Sequence, residues 1–483
     1  MRPIRNKNGE RATGRLRLAV AGASLAFFSF GYSFGIIGAA VLWIKDSFPL
    51  TAAMEQAVVS AALFGAIFGS ALGGSLADRI GRRKALLAAA ALFVAGALGS
   101  AGAPDAAALV LARVAIGLGV GVTFIASPLY VSEISPARVR GRYGAINALA
   151  VALGFVAAYS VECLFAQAGA WRAMLLLGVI PAAALGVILL VLDESPRWLW
   201  SKGRHDQARF VFERLSSREH AQQEIASLRA TPQGPQAGWA ALFAADVRRP
   251  FALGLALAAF RSLCGLSVLS LYAPRILQMV GFVDGSTNAL TTAGLAALFI
   301  PARLAVIHWV ERCGRRPLLF GGQAAAALGF ALLAAAFLLP AGSKATAPTA
   351  VAGLMVTAVA FQFSAALIPL MLSEIFPQRA RGRMTGAANV LLWTLDFAVA
   401  ETFLTLAESI GRAEAFALYA SINVAAFVFT ARFVPETQGK SLEQIEQSWA
   451  HAEERHAAKM AANGTAYPGD FCEPRRGVRI PRL

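Results

Sequence analysis

Two short stretches of the sequence share a pattern, and that repetition decides the fold. Ala77–Arg83 reads ADRIGRR, and Val310–Arg316 reads VERCGRR. A second pair recurs in the same order: Pro128–Gly141 contains LYVSEISP before an Arg-Gly dipeptide, and Met371–Gly382 contains MLSEIFP before another. Duplicated halves around a site at the middle of the membrane are the architecture of many secondary transporters.

The sequence around these motifs is long and apolar. The residues AVILMFWYC make up 57% of the chain and charged residues only 15%, against about 25% in an average soluble domain. A bilayer core needs about 20 apolar residues per helix. Runs of that length predict twelve membrane spans, at 18–43, 53–76, 84–103, 107–130, 143–165, 170–192, 250–277, 287–310, 317–340, 346–372, 383–406 and 413–433.

One gap between the spans is long and charged, and it separates six spans from six. The sequence therefore predicts an all-α integral membrane protein of two six-helix bundles related by a pseudo-two-fold axis. The predicted units are a first bundle at 1–192, a cytoplasmic linker with short helices at 193–249, a second bundle at 250–440 and a cytoplasmic tail at 441–483.

The placement of lysine and arginine predicts the orientation. The chain has 44 Lys and Arg against 28 Asp and Glu, a formal charge of +16. Basic residues cluster in the gaps after spans 2, 4, 8 and 10 and in the long gap after span 6, and the alternate gaps hold mainly Lys45, Arg172, Lys344 and Arg412. Because Lys and Arg concentrate in cytoplasmic loops, we expect both termini to be cytoplasmic and the protein to lie in the plasma (inner) membrane.

Several classes of protein are disfavoured. The four cysteines are scattered and the five histidines form no metal or catalytic set, so neither a metal nor a cofactor is expected. The sequence has no GxxxxGK[ST] loop for an ATP-driven pump and no nucleic-acid motif. The expected protein is not an enzyme but a monomer in the lipid bilayer, whose partner is a small-molecule substrate.

Six motifs, in order along the chain, resemble those of the sugar porter branch of the major facilitator superfamily. The resemblance covers nearly the whole chain, about residues 24–445. Its motifs are Gly74–Lys84, Pro128–Gly141, Glu194–Leu199, Val310–Arg316, Ser373–Gly382 and Val434–Leu442. The resemblance implies the major facilitator fold, alternating access, and sugars or related small polar solutes as substrates.

The paired motifs put carboxylates and arginines at helix ends, where charge-assisted hydrogen bonds between helices can form. Such bonds would hold the inner gate closed while the cavity opens outward, and would break when it opens inward. The alternative is that the arginines only anchor the topology. The predicted gating set is Asp78, Arg82, Arg83, Glu133 and Arg140 in the first half, and Glu311, Arg315, Arg316, Glu374 and Arg381 in the second.

The resemblance also locates a substrate site, and the chain departs from the family there. Sugar porters carry Gln-Gln-Leu-Ser-Gly-Ile-Asn in span 7, whose amides bind sugar hydroxyls. Here Arg261 and Ser262 stand at the two Gln positions and Ser267 at the Asn position. The Trp of span 11 is retained as Trp393, and the Asn three residues later is Asp396.

Charges within membrane spans are expensive to bury and mark functional candidates. Arg261, Arg303 and Asp396 together leave one net positive charge, which a carboxylate or phosphate of a substrate could balance. Alternatively Asp396 forms a structural pair with one of the two arginines. The predicted substrate-binding set is Arg261, Ser262, Ser267, Asn147, Trp393, Asp396 and Arg303.

Coupling to protons is left open by the sequence. Proton-coupled sugar porters have Asp where span 1 carries Ser33, which cannot titrate. The matching arginine of span 4, Arg113, therefore needs another partner, and Glu162 of span 5 is the candidate. The alternative places Glu162 at the water interface.

The favoured function is a secondary active or facilitative transporter of a sugar or related small polar solute. The first alternative is a transporter of a small organic anion, or an exporter of a natural product or drug. The second is a non-transporting nutrient sensor, which the short tail disfavours.

Overall fold

The computed structural model describes residues 14–135, 140–215, 245–340, 343–377 and 380–438, with six residues between 222 and 229. Within these ranges the chain forms α-helices and no strand. They are α1 (Gly14–Ser47), α2 (Ala52–Ile80), α3 (Arg82–Ala101), α4 (Ala106–Ile134), α5 (Arg140–Phe165), α6 (Trp171–Leu176), α7 (Val179–Val191), α8 (Pro196–Ser201), α9 (His205–Leu215), α10 (Ala245–Leu263), α11 (Leu266–Met279), α12 (Gly285–Ala297), α13 (Phe299–Cys313), α14 (Arg315–Leu338), α15 (Thr346–Ile375), α16 (Arg381–Ser409) and α17 (Arg412–Phe433).

The prediction of twelve spans is confirmed. Twelve helical stretches of the described chain are long and apolar enough to cross a membrane, and each overlaps one predicted span. Three of the stretches are broken into two helices: α6 with α7, α10 with α11, and α12 with α13. Several helices extend past the apolar run by a turn, because polar residues at a membrane surface can continue a helix that apolar residues begin.

The described residues between 193 and 249 include the short helices α8 and α9. In α9 the residues Ala208, Val211, Phe212 and Leu215 are buried, whereas Phe210 is exposed. This spacing of three and four residues puts one apolar face against the membrane bundle. The boundaries proposed at 192 and 250 stay a prediction.

Close packing between helices depends on glycine, most clearly where α2 crosses α4. A Cβ atom added at Gly117 would lie 2.0 Å from the carbonyl oxygen of Ala62, and one at Gly121 would lie 2.3 Å from the amide nitrogen of Ser70. Both obstacles are backbone atoms, which cannot rotate away. Small residues let membrane helices approach in this way, so their role here is packing.

We therefore predict that Gly117→Ala lowers the melting temperature of the purified protein strongly. Overpacking typically costs about 1–3 kcal/mol, and a backbone obstacle lies at the upper end of that range. Gly144→Ala is the matched control, because a Cβ there meets nothing within 4 Å. Equal melting temperatures of the two variants would show that α2 and α4 do not pack as described.

The membrane span that contains the predicted site residues Arg261, Ser262 and Ser267 is interrupted by Gly265, whose backbone is in the left-handed conformation. Gly265 has a φ of +71° between α10 and α11, and a Cβ there would lie 2.5 Å from the ring of Tyr419. Only glycine adopts this conformation at little cost and leaves room for the ring. The break separates Ser262 at the end of α10 from Ser267 at the start of α11.

The two ends of the bundle carry different side chains, and we name them by those residues. The arginine end is the end with Arg82 and Arg315, where α3 and α14 begin. The Glu55 end is the opposite end, where α2 begins after Thr51. The 29 residues of α2 span about 44 Å between the two ends at about 1.5 Å per residue.

Candidate substrate site and gates

A buried carboxylate organises the candidate substrate site. Asp396 lies midway along α16 and is 2% exposed. Its Oδ1 accepts a hydrogen bond from the Ser267 hydroxyl at 2.9 Å, and its Oδ2 lies 3.4 Å from Nη1 of Arg261. The structural pair that the sequence left open is therefore formed by Arg261, not by Arg303.

Arg303 lies beside this pair without a carboxylate of its own. It is 3% exposed on α13, and its Nη1 donates to the backbone carbonyl of Gln362 at 3.2 Å. Its Nε has no hydrogen-bond partner. The like charge of Arg261 is near enough to act on it electrostatically. Among the ion pairs of the described residues, none includes Arg303.

Trp393 connects this polar cluster to the first half of the chain. Its ring centroid lies 6.0 Å from that of Phe30, 6.3 Å from that of Phe34 and 5.0 Å from that of Phe124. Its Nε1 is buried and has no hydrogen-bond partner. We call these four rings the aromatic wall. Phe30, Phe34 and Phe124 were not predicted as site residues from the sequence, because phenylalanine is common in membrane helices.

The remaining predicted site residues bond within the protein. The hydroxyl of Ser262 donates to the carbonyl of Leu392 at 3.0 Å. The Oδ1 of Asn147 accepts from the Ser24 hydroxyl at 2.8 Å, inside the first half. The structure thus joins Arg261, Ser267 and Asp396 by direct contacts and places Trp393 about one turn before Asp396 on α16. Arg303 has a backbone acceptor on α15, and Asn147 has a partner in its own half.

The predicted gating residues form one network in each half. In the first half, Arg82 lies 3.0 Å from both Glu133 and Asp78, and the Ser195 hydroxyl also donates to Glu133. In the second half, Arg315 lies 3.2 Å from Glu374.

The same carboxylate of the second half accepts from the Thr437 hydroxyl at 2.5 Å. The expected pairs Arg82–Glu133 and Arg315–Glu374 are therefore formed. Each joins elements of a single half, so these bonds alone do not lock one half to the other.

The second arginine of each motif does not reach the glutamate, contrary to the prediction. Arg83 donates from Nε to the carbonyl of Leu189 at 2.6 Å, and Arg316 donates to the carbonyl of Ala431. Consecutive residues at a helix start point about 100° apart, so only one of the two can face the glutamate.

The other predicted gating residues have different surroundings. Arg381 donates to the carbonyl of Phe376 at 3.0 and 3.1 Å. The backbone carbonyl of Glu311 accepts from Gln438, while its side chain is exposed. The side chain of Arg140 lies outside the described residues.

Two glutamates that the sequence reasoning did not assign complete the networks. Glu194 accepts from the backbone amide of Arg83 at 2.9 Å, and Glu436 accepts from the amides of Arg315 and Arg316 at 3.1 and 3.0 Å. A carboxylate at a helix N-terminus satisfies amides that lack a partner within the helix. The sequence contained a signal for these two glutamates, because the similar pairs Glu194-Ser195 and Glu436-Thr437 occur in two of the motifs.

At the Glu55 end, charged side chains join the two halves. Glu55 is 2% exposed, and its carboxylate lies 2.5 Å from Nζ of Lys45 and 3.6 Å from Nε of Arg275. Lys45 and Glu55 belong to α1 and α2, and Arg275 belongs to α11. Two further contacts join α2 to α16: the Ser60 hydroxyl donates to Glu401, and Gln56 bonds Thr405.

The predicted Arg113–Glu162 pair is wrong for this conformation. Arg113 is fully buried and donates from Nη1 to the backbone carbonyl of Ser33 at 2.9 Å. Glu162 is also fully buried, and neither of its oxygens has a hydrogen-bond partner. The alternative of a water-exposed Glu162 is wrong as well. Phe155 and Ala158 of α5 pack against α1 at Gly35. Glu162 lies one turn further along α5, toward the Glu55 end.

Comparison with known proteins decides the family. The family described as "Sugar (and other) transporter" matches residues 19–449. This chain belongs to that family, the sugar porters of the major facilitator superfamily. A putative metabolite transport protein of Bacillus subtilis is 37% identical over 419 residues, covering 86% of this chain and 92% of that protein.

Two further proteins with described transport activity are similar to this sugar porter. The arabinose-proton symporter of Escherichia coli is 34% identical over 447 residues, covering 90% of this chain and 94% of that protein. The xylose transporter XylE of Escherichia coli, in a partially occluded inward-open conformation, superposes with a TM-score of 0.77 at 26% identity, covering 89% of this chain and 100% of that one. With its twelve apolar helices, this sugar porter is a multi-pass membrane protein.

Proposed function

We propose that this sugar porter moves a sugar or a related small polar solute across the membrane by alternating access. The observation that carries the proposal is the buried cluster of Arg261, Ser267 and Asp396, which lies midway along the spans and meets the aromatic wall between the halves. A membrane protein does not bury such groups for packing alone, because intramembrane charges are costly. The sugar–proton symporters and XylE among its relatives support the same substrate class.

We further propose that the arginine end faces the cytoplasm, with both termini, in the inner membrane of a bacterium. The excess of basic residues in the gaps at that end supports this orientation. In that orientation the contacts of Glu55 close the outer side, as in the inward-facing XylE structure to which the chain is similar. The protein works as a monomer in this proposal.

Entrance counterflow tests the transport proposal without assuming a coupling ion. Liposomes containing the purified protein are loaded with an unlabelled solute and diluted into the labelled one. The panel holds arabinose, xylose, galactose, glucose and their sugar acids. Saturable accumulation of at least one solute is expected, and it should disappear in protein-free liposomes. No exchange of any of them by folded protein would contradict the proposal and revive an exporter of unrelated solutes or a sensor.

Glu162 is proposed as a coupling residue, with Arg113 as the cation of the same region. A buried carboxylate that accepts no hydrogen bond is far more stable protonated than charged. Because Glu162 is buried, it can accept a proton only in a conformation that opens a path to it. We predict that Glu162→Gln keeps counterflow but loses accumulation driven by an imposed proton gradient. Accumulation equal to that of the unaltered protein would remove Glu162 from coupling.

A further inference from the structure

The unbalanced charge of the substrate site identifies a narrower class of substrate. We propose that the site binds the anion of a sugar acid, with the guanidinium groups of Arg303 and Arg261 holding its carboxylate. The inference rests on the proposed function, since it concerns what the same site carries. It differs from that function because a neutral sugar would leave the surplus charge of the site unpaired.

The first step is the charge count. Two guanidinium groups, those of Arg261 and Arg303, are largely buried in the second half, and Asp396 pairs with that of Arg261. The contact from Arg261 to Asp396 is a single long one of 3.4 Å, not a bidentate pair. Arg303 has only a backbone carbonyl as its described acceptor. Among the described residues, one positive charge of the site therefore has no counterion.

The second step is the balance of donors and acceptors. Nε of Arg261, Nε of Arg303 and Nε1 of Trp393 are buried donors with no hydrogen-bond partner. The carboxylate acceptor among these groups, Asp396, already accepts from Ser267 and Arg261, so unpaired donors outnumber the acceptor sites that remain on it. A neutral sugar needs acceptors for its hydroxyl hydrogens as well as donors. A carboxylate needs donors only, and guanidinium groups are the donors that match its geometry.

The third step is the aromatic wall. Phe30, Phe34 and Phe124 of the first half pack around Trp393, which precedes Asp396 by three residues on α16. Such a wall can take the apolar C–H face of a pyranose, while the single Asp396 oxygen and the Ser267 hydroxyl can meet its hydroxyl groups. The wall favours a ring-sized sugar acid over a smaller organic anion such as acetate or lactate.

Counterflow with glucuronate and galacturonate, against glucose and galactose, tests the inference. The unaltered protein should exchange one of the acids at least tenfold faster than the corresponding neutral sugar at equal concentration. Arg303→Gln should lower acid exchange at least tenfold more than it lowers neutral-sugar exchange. Arg432→Gln is the matched control, because Arg432 is exposed on α17 and outside the site. Melting temperatures of all three proteins verify their folding.

A binding measurement covers the case in which Arg303→Gln does not fold. Quenching of tryptophan fluorescence in the unaltered protein should report binding of glucuronate but not of its uncharged methyl ester. Exchange of neutral sugars with no exchange or binding of the acids would overturn this inference and leave the proposed function intact. Exchange of neither class would overturn both. Equal affinity for glucuronate and the ester would also overturn it, because the charge would then contribute nothing.

Discussion

Replacing Glu55 by glutamine is expected to open the Glu55 end and to reduce steady-state transport severely. The carboxylate is buried between Lys45 and Arg275, so its removal leaves two cations facing each other with little water. Removing one partner of a buried ion pair costs about 3–5 kcal/mol. The cost applies only while α11 lies against α1 and α2, so it falls on the closed state. A penalty of about 3–5 kcal/mol lowers the population of that state by roughly 10²–10⁴-fold relative to the open one.

The distance between labels on the two halves measures this shift. Met54 and Val283 are exposed on either side of the closed end, and both can be replaced by cysteine for spin labels. We expect Glu55→Gln to lengthen that distance in lipid. Glu408→Gln, an exposed carboxylate near the end of α16, is the control and should leave the distance unchanged. An unchanged distance in Glu55→Gln would show that the ion pairs do not hold this end closed.

Replacing Gly38 by valine is expected to have a comparable effect through sterics instead of charge. A Cβ atom at Gly38 would lie 2.2 Å from the carbonyl oxygen of Leu271, which belongs to α11 of the other half. The obstacle is backbone, so the closed contact of α1 with α11 cannot form without separating the helices. Overpacking costs about 1–3 kcal/mol where the surrounding core can adjust. The contact between Gly38 and the Leu271 carbonyl has little room to adjust.

Gly31→Val separates this effect from a general loss of stability. Its Cβ would lie 2.2 Å from the carbonyl oxygen of Val151, on α5 of the same half. We expect Gly31→Val to lower the melting temperature. Gly38→Val should retain a folded protein that has lost counterflow and shows a lengthened distance between labels at 54 and 283. If Gly38→Val exchanged solute at the normal rate, the contact of α1 with α11 would not be part of the transport cycle.

The fold could be predicted from the sequence because its signals are long. Twelve apolar runs of membrane length are independent observations that reinforce one another, and the repeated arginine motifs divide them. The breaks within spans could not be predicted so readily. The break at Gly265 depends on a tertiary contact with Tyr419, which lies on another helix.

The candidate site was only partly predictable. Intramembrane charges identified Arg261, Arg303 and Asp396, because burial makes such residues rare. Which arginine pairs with the aspartate depends on side-chain geometry across three helices, so the sequence left it open. The Arg113–Glu162 prediction failed because depth in the membrane was inferred from residue counts alone. Arg113 donates from Nη1 to the backbone carbonyl of Ser33 instead, while its Nε and Nη2 have no hydrogen-bond partner.

The contacts at the Glu55 end were missed for a different reason. Lys45, Glu55 and Arg275 lie near the ends of predicted spans, where charged residues are common and carry no signal. Only the three-dimensional structure shows that the Glu55 carboxylate, which is 2% exposed, pairs with cations from both halves. Charge at a span end thus becomes informative only when its burial is known.

The central claim is that the two ends of this sugar porter open alternately around one substrate site. Its most direct test is the distance between spin labels at both ends, measured in liposomes with and without a substrate found by counterflow. One pair is Met54→Cys with Val283→Cys. The other is Arg79→Cys with the native Cys313, both exposed at the arginine end, after replacement of the other cysteines.

We predict two populations in which a long distance at one end accompanies a short distance at the other, with proportions that change on adding substrate. Glu55→Gln should move the same balance toward an open Glu55 end. Distances that stay fixed at both ends while counterflow proceeds, or that lengthen together, would contradict alternating access.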